Sequence, residues 1–307
     1  MNGIKIVLAG GLLVWLFNSM QWPFTLLLDA FFSFDYFWVV LLILAHIIGQ
    51  ILRWLLLLQM QGVRLSFTIG MRLFLIGQFF LITSLGMVGG EAVRGYYVIQ
   101  YSGSAKWAGA STVVVDRILG LFTYLLVWGG SCLWLLGWGT PSWALLRFWW
   151  VVLLLTMGIV MFFIVLWSAV GQRVLFGFLP SRWRDGLQQV VTAYRPDHRL
   201  VRPVLLISLL TNLLHLLAFM VSARILGISL SWGDLVLFVP LVALSNILPL
   251  PMGGLGAGET AAQLLLAQLG IPHGAILMLL IRLTQWILVL PSGFYCYLTE
   301  KKVQEKD

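Results

Sequence analysis

Charge is scarce in this chain. Asp, Glu, Lys and Arg together make up 10% of its 307 residues, against 61% apolar residues and a mean hydropathy of +0.98. A soluble domain could not carry that much apolar surface, so the composition implies a polytopic membrane protein with room for about eight membrane elements at roughly 20 residues each. Cysteine is nearly absent too. Cys132 and Cys296 lie in apolar segments without a CxxC partner, so neither a disulfide framework nor a zinc site is indicated. The histidines, His46, His198, His215 and His273, are scattered, and no HxxxH, HExxH or G-x-S-x-G spacing occurs. A nucleotide-binding motif is also missing: the glycines at 253–256 have no βαβ context. No cofactor or metal is expected, and hydrolysis of ATP by this chain is not expected. The formal charge of +8 comes largely from one loop where membrane topology accounts for it, so nucleic acid is not an expected partner.

What the chain does have is an abrupt break. Leu248 to Glu259 packs two prolines and four glycines into twelve residues, and such a run cannot continue a helix. Apolar runs flank it, from Leu235 to Ile247 and from Ala261 to Leu269. Irregular backbone at membrane depth is tolerated only inside protein or beside a water-filled cavity, which makes a break ending on a carboxylate a site candidate.

The spans follow in order. Ile4 to Met20 reads as an uncleaved first span, followed by an external loop with Asp29 and Asp35; Tyr36 to Leu58 returns to the cytoplasm. On the second span His46, Gln50 and Arg53 share one face, read as a buried interhelical hydrogen-bond stripe with Arg53 snorkelling to the interface, the alternative being direct contact with a substrate. The stretch 67–101 decides the topology. The loop 171–202 carries Arg173, Arg182, Arg184, Arg195, Arg199 and Arg202 against Asp185 and Asp197, a net of four positive charges that places it inside. That holds only if 67–101 dips into the membrane and returns. The expected legs are Leu73 to Leu85 and Glu91 to Tyr101, bent at Gly86 to Gly90, about 20 and 16 Å long as helix against a ~30 Å core.

Trp107 to Leu136 and Phe148 to Val170 then cross out and back. Within 171–202, Trp183 to Tyr194 is expected to form a short surface helix. Val204 to Leu226 crosses with a polar stripe of Ser208, Thr211, Asn212 and His215, and Ala275 to Tyr297 crosses last. A second hairpin, 235–269, has legs Leu235 to Leu248 and Glu259 to Leu269. Each hairpin restarts on a glutamate and is followed by an arginine on a long helix: Glu91 with Arg117, Glu259 with Arg282. The expected fold is an all-α polytopic membrane protein, one domain over 1–307. It has six full spans and two opposed re-entrant hairpins forming an inverted repeat, with both termini cytoplasmic. Breaks meeting near the midplane point to a transport site.

The charges of these motifs are Glu91, Asp116 and Glu259 against Arg94, Arg117 and Arg282. Each costs roughly 2.5–3.5 kcal/mol at mid-bilayer if left alone, so they must pair or face water. Two readings stay open: ion pairs that lock the hairpins, or arginines that clamp a phosphate while the glutamates take its place, or carry protons, when the site is empty.

The motifs Gly-Gly-Glu-Ala-Val-Arg at 89–94, Val-Val-Asp-Arg-Ile-Leu-Gly-Leu at 114–121 and Pro-x-Gly-Gly-Leu-Gly-x-x-Glu at 251–259, with Arg282 downstream, resemble those of the flippase-like membrane family. That family comprises the transmembrane region of lysylphosphatidylglycerol synthases and its stand-alone relatives. The resemblance implies a multi-pass protein of a prokaryotic inner membrane that moves lipids or lipid-linked sugars between leaflets. It places Glu91, Arg94, Asp116, Arg117, Gly253, Gly254, Gly256 and Glu259 on the family's motifs. The soluble synthetase domain of those enzymes has no counterpart here, so aminoacylation of lipid is not expected. The expected function is transbilayer movement of a phosphate-bearing lipid, a polyprenyl-phosphate-linked sugar or a phospholipid, with anionic membrane lipids as partners. The alternatives are a membrane scaffold for a glycosyltransferase or lipid synthase, and a membrane-embedded transferase using Glu91 or Glu259 as general base.

Overall fold

A computed structural model describes residues 24–83, 86–103, 106–138, 199–245 and 254–304, with isolated positions between 150 and 194. The helices are α1 (Phe24–Phe32), α2 (Tyr36–Met60), α3 (Phe67–Thr83), α4 (Gly86–Tyr101), α5 (Lys106–Trp138), α6 (Val201–Ile225), α7 (Trp232–Ser245), α8 (Ala257–Ala267) and α9 (Gly274–Gln304). Four contain stretches long and apolar enough to cross a membrane: Tyr36–Met60, Gly109–Ser131, Val201–Ile225 and Gly274–Glu300. The protein is thus all-α and polytopic. The expected first span, the surface helix and the proline-rich part of the second break lie outside the described residues, as does most of Phe148 to Val170.

Where an external loop was expected after the first span, the chain forms α1. Leu27 and Ala30, three apart on one face, are buried, and Phe31 meets Tyr36 edge-on with ring centroids 5.0 Å apart. Burial of that stripe holds a helix that its polar neighbours Asp29 and Asp35 did not suggest.

The helices α3 and α4 fold back on each other. A Cβ built on Gly90 would lie 2.5 Å from the Gly77 carbonyl oxygen and 2.5 Å from Leu81 Cβ, and one on Gly77 would lie 2.9 Å from Arg94 Cβ. Two of these pairs, Gly90 with Leu81 and Gly77 with Arg94, share one midpoint in the sequence, as the legs of a tight helical hairpin do. The expected glycine-rich bend over 86–90 is corrected by this arrangement. The second leg starts at Gly86, not at Glu91, and its glycines sit inside the helix. A glycine in a helix interior costs only about 1 kcal/mol, and the close backbone approach it permits offsets that cost.

Similar contacts join the remaining elements. Gly49 of α2 faces Thr211 of α6, where an added Cβ would come within 2.4 Å of the hydroxyl oxygen. Gly293 of α9 abuts the Leu75 carbonyl of α3, and Gly274 abuts the Ala262 carbonyl of α8. Phe79 of α3 lies tilted against Phe294 of α9 and Phe80 meets Tyr297 edge-on, at centroid distances of 5.8 and 5.2 Å, and the Tyr101 hydroxyl donates to the buried Glu300 carboxylate. One apolar core runs from Leu27 to Cys296 through all of these elements.

Gly90 and Gly95 of α4 test this packing. Gly95 has open space where a Cβ would go, so Gly95→Ala is expected to be neutral or stabilising by up to about 1 kcal/mol. Gly90→Ala forces the hairpin apart and is expected to destabilise by about 1–3 kcal/mol. Thermal unfolding in one detergent checks the pair; equal melting temperatures would contradict the hairpin contact.

Candidate functional site

Every motif charge is paired, and the pairs link the helices that the sequence motifs come from. Asp116 of α5 stands at the centre. Its Oδ1 accepts from Arg53 Nε of α2 at 2.7 Å and its Oδ2 from Arg94 Nη2 of α4 at 3.1 Å, and all three side chains are at most 5% exposed. Arg94 also lies over the Trp54 ring, 4.7 Å from its centroid, and 5.3 Å from that of Phe74, a cation–π arrangement suited to a desolvated guanidinium. Arg53 was expected to snorkel outward. It turns inward instead, because a buried carboxylate already held by one arginine can take a second, and Gly120 of α5 leaves room: a Cβ there would sit 3.3 Å from the guanidinium.

One residue further along α5, about 100° around the helix, Arg117 donates to Glu91 of α4. This pair is more accessible, with side-chain exposures of 33% and 17%. In the second motif pair Arg282 of α9 donates through Nε to Glu259 Oε1 at 2.5 Å and through Nη2 to Oε2 at 3.4 Å, with exposures of 5% and 1%. The two glutamate–arginine correspondences read from the sequence, Glu91 with Arg117 and Glu259 with Arg282, are therefore both made as contacts.

The turn before α8 explains how Glu259 is aimed. Gly254 and Gly256 have φ of 81° and 89°, left-handed backbone that a side chain would strain. That geometry turns the Gly256 N–H onto Glu259 Oε2 at 2.8 Å and the Gly254 carbonyl toward Arg282 Nη2 at 3.4 Å. Glu259 thus caps the first turn of its own helix while holding the arginine of the next. Gly253 lies outside the described residues.

A partly open cavity of about 410 Å³ lies among α2, α3, α5, α6, α7 and α9. Of the motif residues, Asp116, Arg117 and Arg282 line it together with Arg53; Glu91, Arg94, Gly254, Gly256 and Glu259 stand behind that lining. The polar stripes of α2 and α6 form another wall. His46 Nδ1 meets the Thr211 carbonyl at 2.9 Å, Gln50 Nε2 meets His46 Nε2 at 2.5 Å, and Asn212 donates to Thr123 at 2.8 Å. His46 and His215 stack with ring centroids 4.5 Å apart, and Tyr124 hydrogen-bonds His215. Of the α6 stripe, Thr211, Asn212 and His215 lie in the cavity wall. Arg53, the fourth arginine, had a signal that went unused: an arginine one turn past a glutamine and two past a histidine on a single helix face.

Among the described residues no group of three His, Cys, Asp or Glu side chains is arranged to hold a metal ion. What the site offers is guanidinium groups at a cavity, which suit an oxyanion.

The pairs differ in burial, and so should their mutants. Asp116→Asn leaves two buried arginines without a counter-charge and is expected to cost about 3–5 kcal/mol or to prevent folding. Glu91→Gln opens the accessible pair and is expected to cost on the order of 1 kcal/mol. Thermal unfolding of the two variants side by side checks the order; the reverse ranking would contradict the assigned burial.

No curated protein and no solved structure matches the chain. The model of the family described as lysylphosphatidylglycerol synthase TM region matches residues 3–293, nearly the whole chain, and the protein belongs to that family.

Proposed function

We propose that the protein moves a phosphate-bearing lipid, a polyprenyl-phosphate-linked sugar or a phospholipid, between the leaflets of a prokaryotic inner membrane. It acts as a transporter rather than an enzyme. The observation that carries this reading is the charge balance at the cavity. Among the described residues Arg53, Arg94, Arg117 and Arg282 form ion pairs with three carboxylates, Asp116, Glu91 and Glu259, one negative charge fewer than the positive ones. An excess charge at membrane depth is unfavourable by a few kcal/mol, and a phosphodiester brings the single negative charge that balances it. Arg117 is the accessible arm. A phosphate entering the cavity displaces Glu91 and takes the fork of the guanidinium, and Glu91 re-forms the pair when the lipid leaves. Both Glu91 and Glu259 are engaged by arginines, which disfavours the transferase alternative for either glutamate.

Helix lengths support an arrangement in which α3–α4 and α7–α8 are the two re-entrant hairpins, entering from opposite faces as an inverted repeat. With 17, 16, 14 and 11 residues they measure about 26, 24, 21 and 17 Å, all short of a ~30 Å core. In such a repeat the half-helices meet at depth and the site lies between them. The termini then lie in the cytoplasm, on the side of the basic loop.

Arg117→Lys is the direct test, because lysine keeps the charge but loses the bidentate fork. In vesicles containing the purified protein, the rate of leaflet exchange of an anionic lipid is expected to fall by about tenfold or more while the melting temperature stays within a few degrees of wild type. A lysine variant that exchanges lipid at the wild-type rate would remove the clamp from the account.

A further inference from the structure

Three glutamines line the cavity from three helices: Gln50 of α2, Gln78 of α3 and Gln285 of α9, each partly accessible. Among the described residues Gln78 and Gln285 make no hydrogen bond to protein. Gln50 is half used. His46 Nδ1 faces the Thr211 carbonyl and must carry the ring proton, so His46 Nε2 is an acceptor and Gln50 presents its NH2 group to it. That leaves the Gln50 carbonyl oxygen for the cavity. His215, stacked on His46, has its buried Nε2 without a partner among the described residues. Uncommitted polar groups at membrane depth are unfavourable unless water or a ligand takes them up.

Their placement is tied to the arginines. Gln50 precedes Arg53 by three residues and Gln285 follows Arg282 by three, so each amide lies on the same helix face as a guanidinium, with Cβ atoms about 5–6 Å apart. Both arginines line the same cavity as Arg117, so a phosphate held on Arg117 brings its ester substituent into the space that the amides line. We propose that Gln50, Gln78 and Gln285 form a second subsite of the cavity, one that recognises hydroxyl groups on an uncharged sugar or polyol headgroup of the lipid whose phosphate the arginines hold. A hydroxyl both donates and accepts, as an amide does, so the two satisfy each other whichever way each is turned. A cationic headgroup is opposed by the excess arginine charge, and an apolar one leaves the amides unpaired. The proposal rests on the anion reading of the cavity given above.

The test compares two short-chain phosphodiesters with the same single negative charge: phosphatidylinositol, whose headgroup is a ring of hydroxyls, and phosphatidylmethanol, which has none. Zwitterionic phosphatidylcholine is the reference, and binding to the purified full-length chain in detergent is measured by calorimetry. Phosphatidylinositol is expected to bind about tenfold more tightly than phosphatidylmethanol, the scale of one or two net hydrogen bonds. Gln50→Leu and Gln285→Leu are each expected to shrink that ratio several-fold. Gln78→Leu supplies a third position should one of these fail to fold. Equal affinities in the wild type, or a ratio that survives the leucine variants, would mean that water satisfies the amides; the subsite is then wrong, while the anion reading stands if both lipids outbind phosphatidylcholine. If neither does, the anion reading fails, and the subsite with it.

Discussion

Asp116 is one carboxylate holding two buried arginines from two other helices, and the geometry of the site depends on that arrangement. Arg53 belongs to α2 and Arg94 to α4, so the aspartate ties a long apolar helix and the second leg of the α3–α4 hairpin to α5. Burying three charges together is a poor source of stability. What the triad provides is position: with Asp116 fixed, Arg117 on the next residue must point to a different sector, where it meets Glu91 and opens onto the cavity. The deeply buried triad and the more accessible pair are therefore neighbours by helical geometry.

Glycine serves two physical ends in this molecule. Inside the helices, at Gly49, Gly77, Gly90, Gly274 and Gly293, it removes side chains from contacts where no Cβ fits. This is how helices approach closely when lipid offers no hydrophobic gain for association. At Gly254 and Gly256 it supplies left-handed backbone, which turns a carbonyl and an amide onto the Arg282–Glu259 pair.

These two uses also explain how much could be read from the sequence. Apolar runs gave α2, α5 and α6 and the start of α9 to within a few residues, because a span long enough to cross needs little else. Helix α9 runs on past Tyr297 to Gln304 through polar residues that an apolar run does not mark. The glutamate–arginine correspondences emerged from parallel spacing after the two glycine clusters, and both are contacts. The clusters themselves look alike in sequence yet behave differently: a glycine's use is set by what packs against it, here Leu81 and the Gly77 carbonyl in α3, and that partner is distant in the chain. Arg53 was misassigned for the same reason. Its position on α2 was plain, but the carboxylate that draws it inward is 63 residues away. The short helix α1 was missed because Asp29 and Asp35 masked the buried face of Leu27 and Ala30.

The central claim is that four arginines held by three carboxylates leave the cavity ready for one anionic phosphate group. Native mass spectrometry of the full-length protein, purified in mild detergent from its membrane, measures this directly. The account predicts one phosphate-bearing anionic lipid retained per chain, displaced when Arg117 is replaced by glutamine. Retention of zwitterionic lipid alone, or of the same anionic lipid in equal amount by the Arg117→Gln protein, would contradict it.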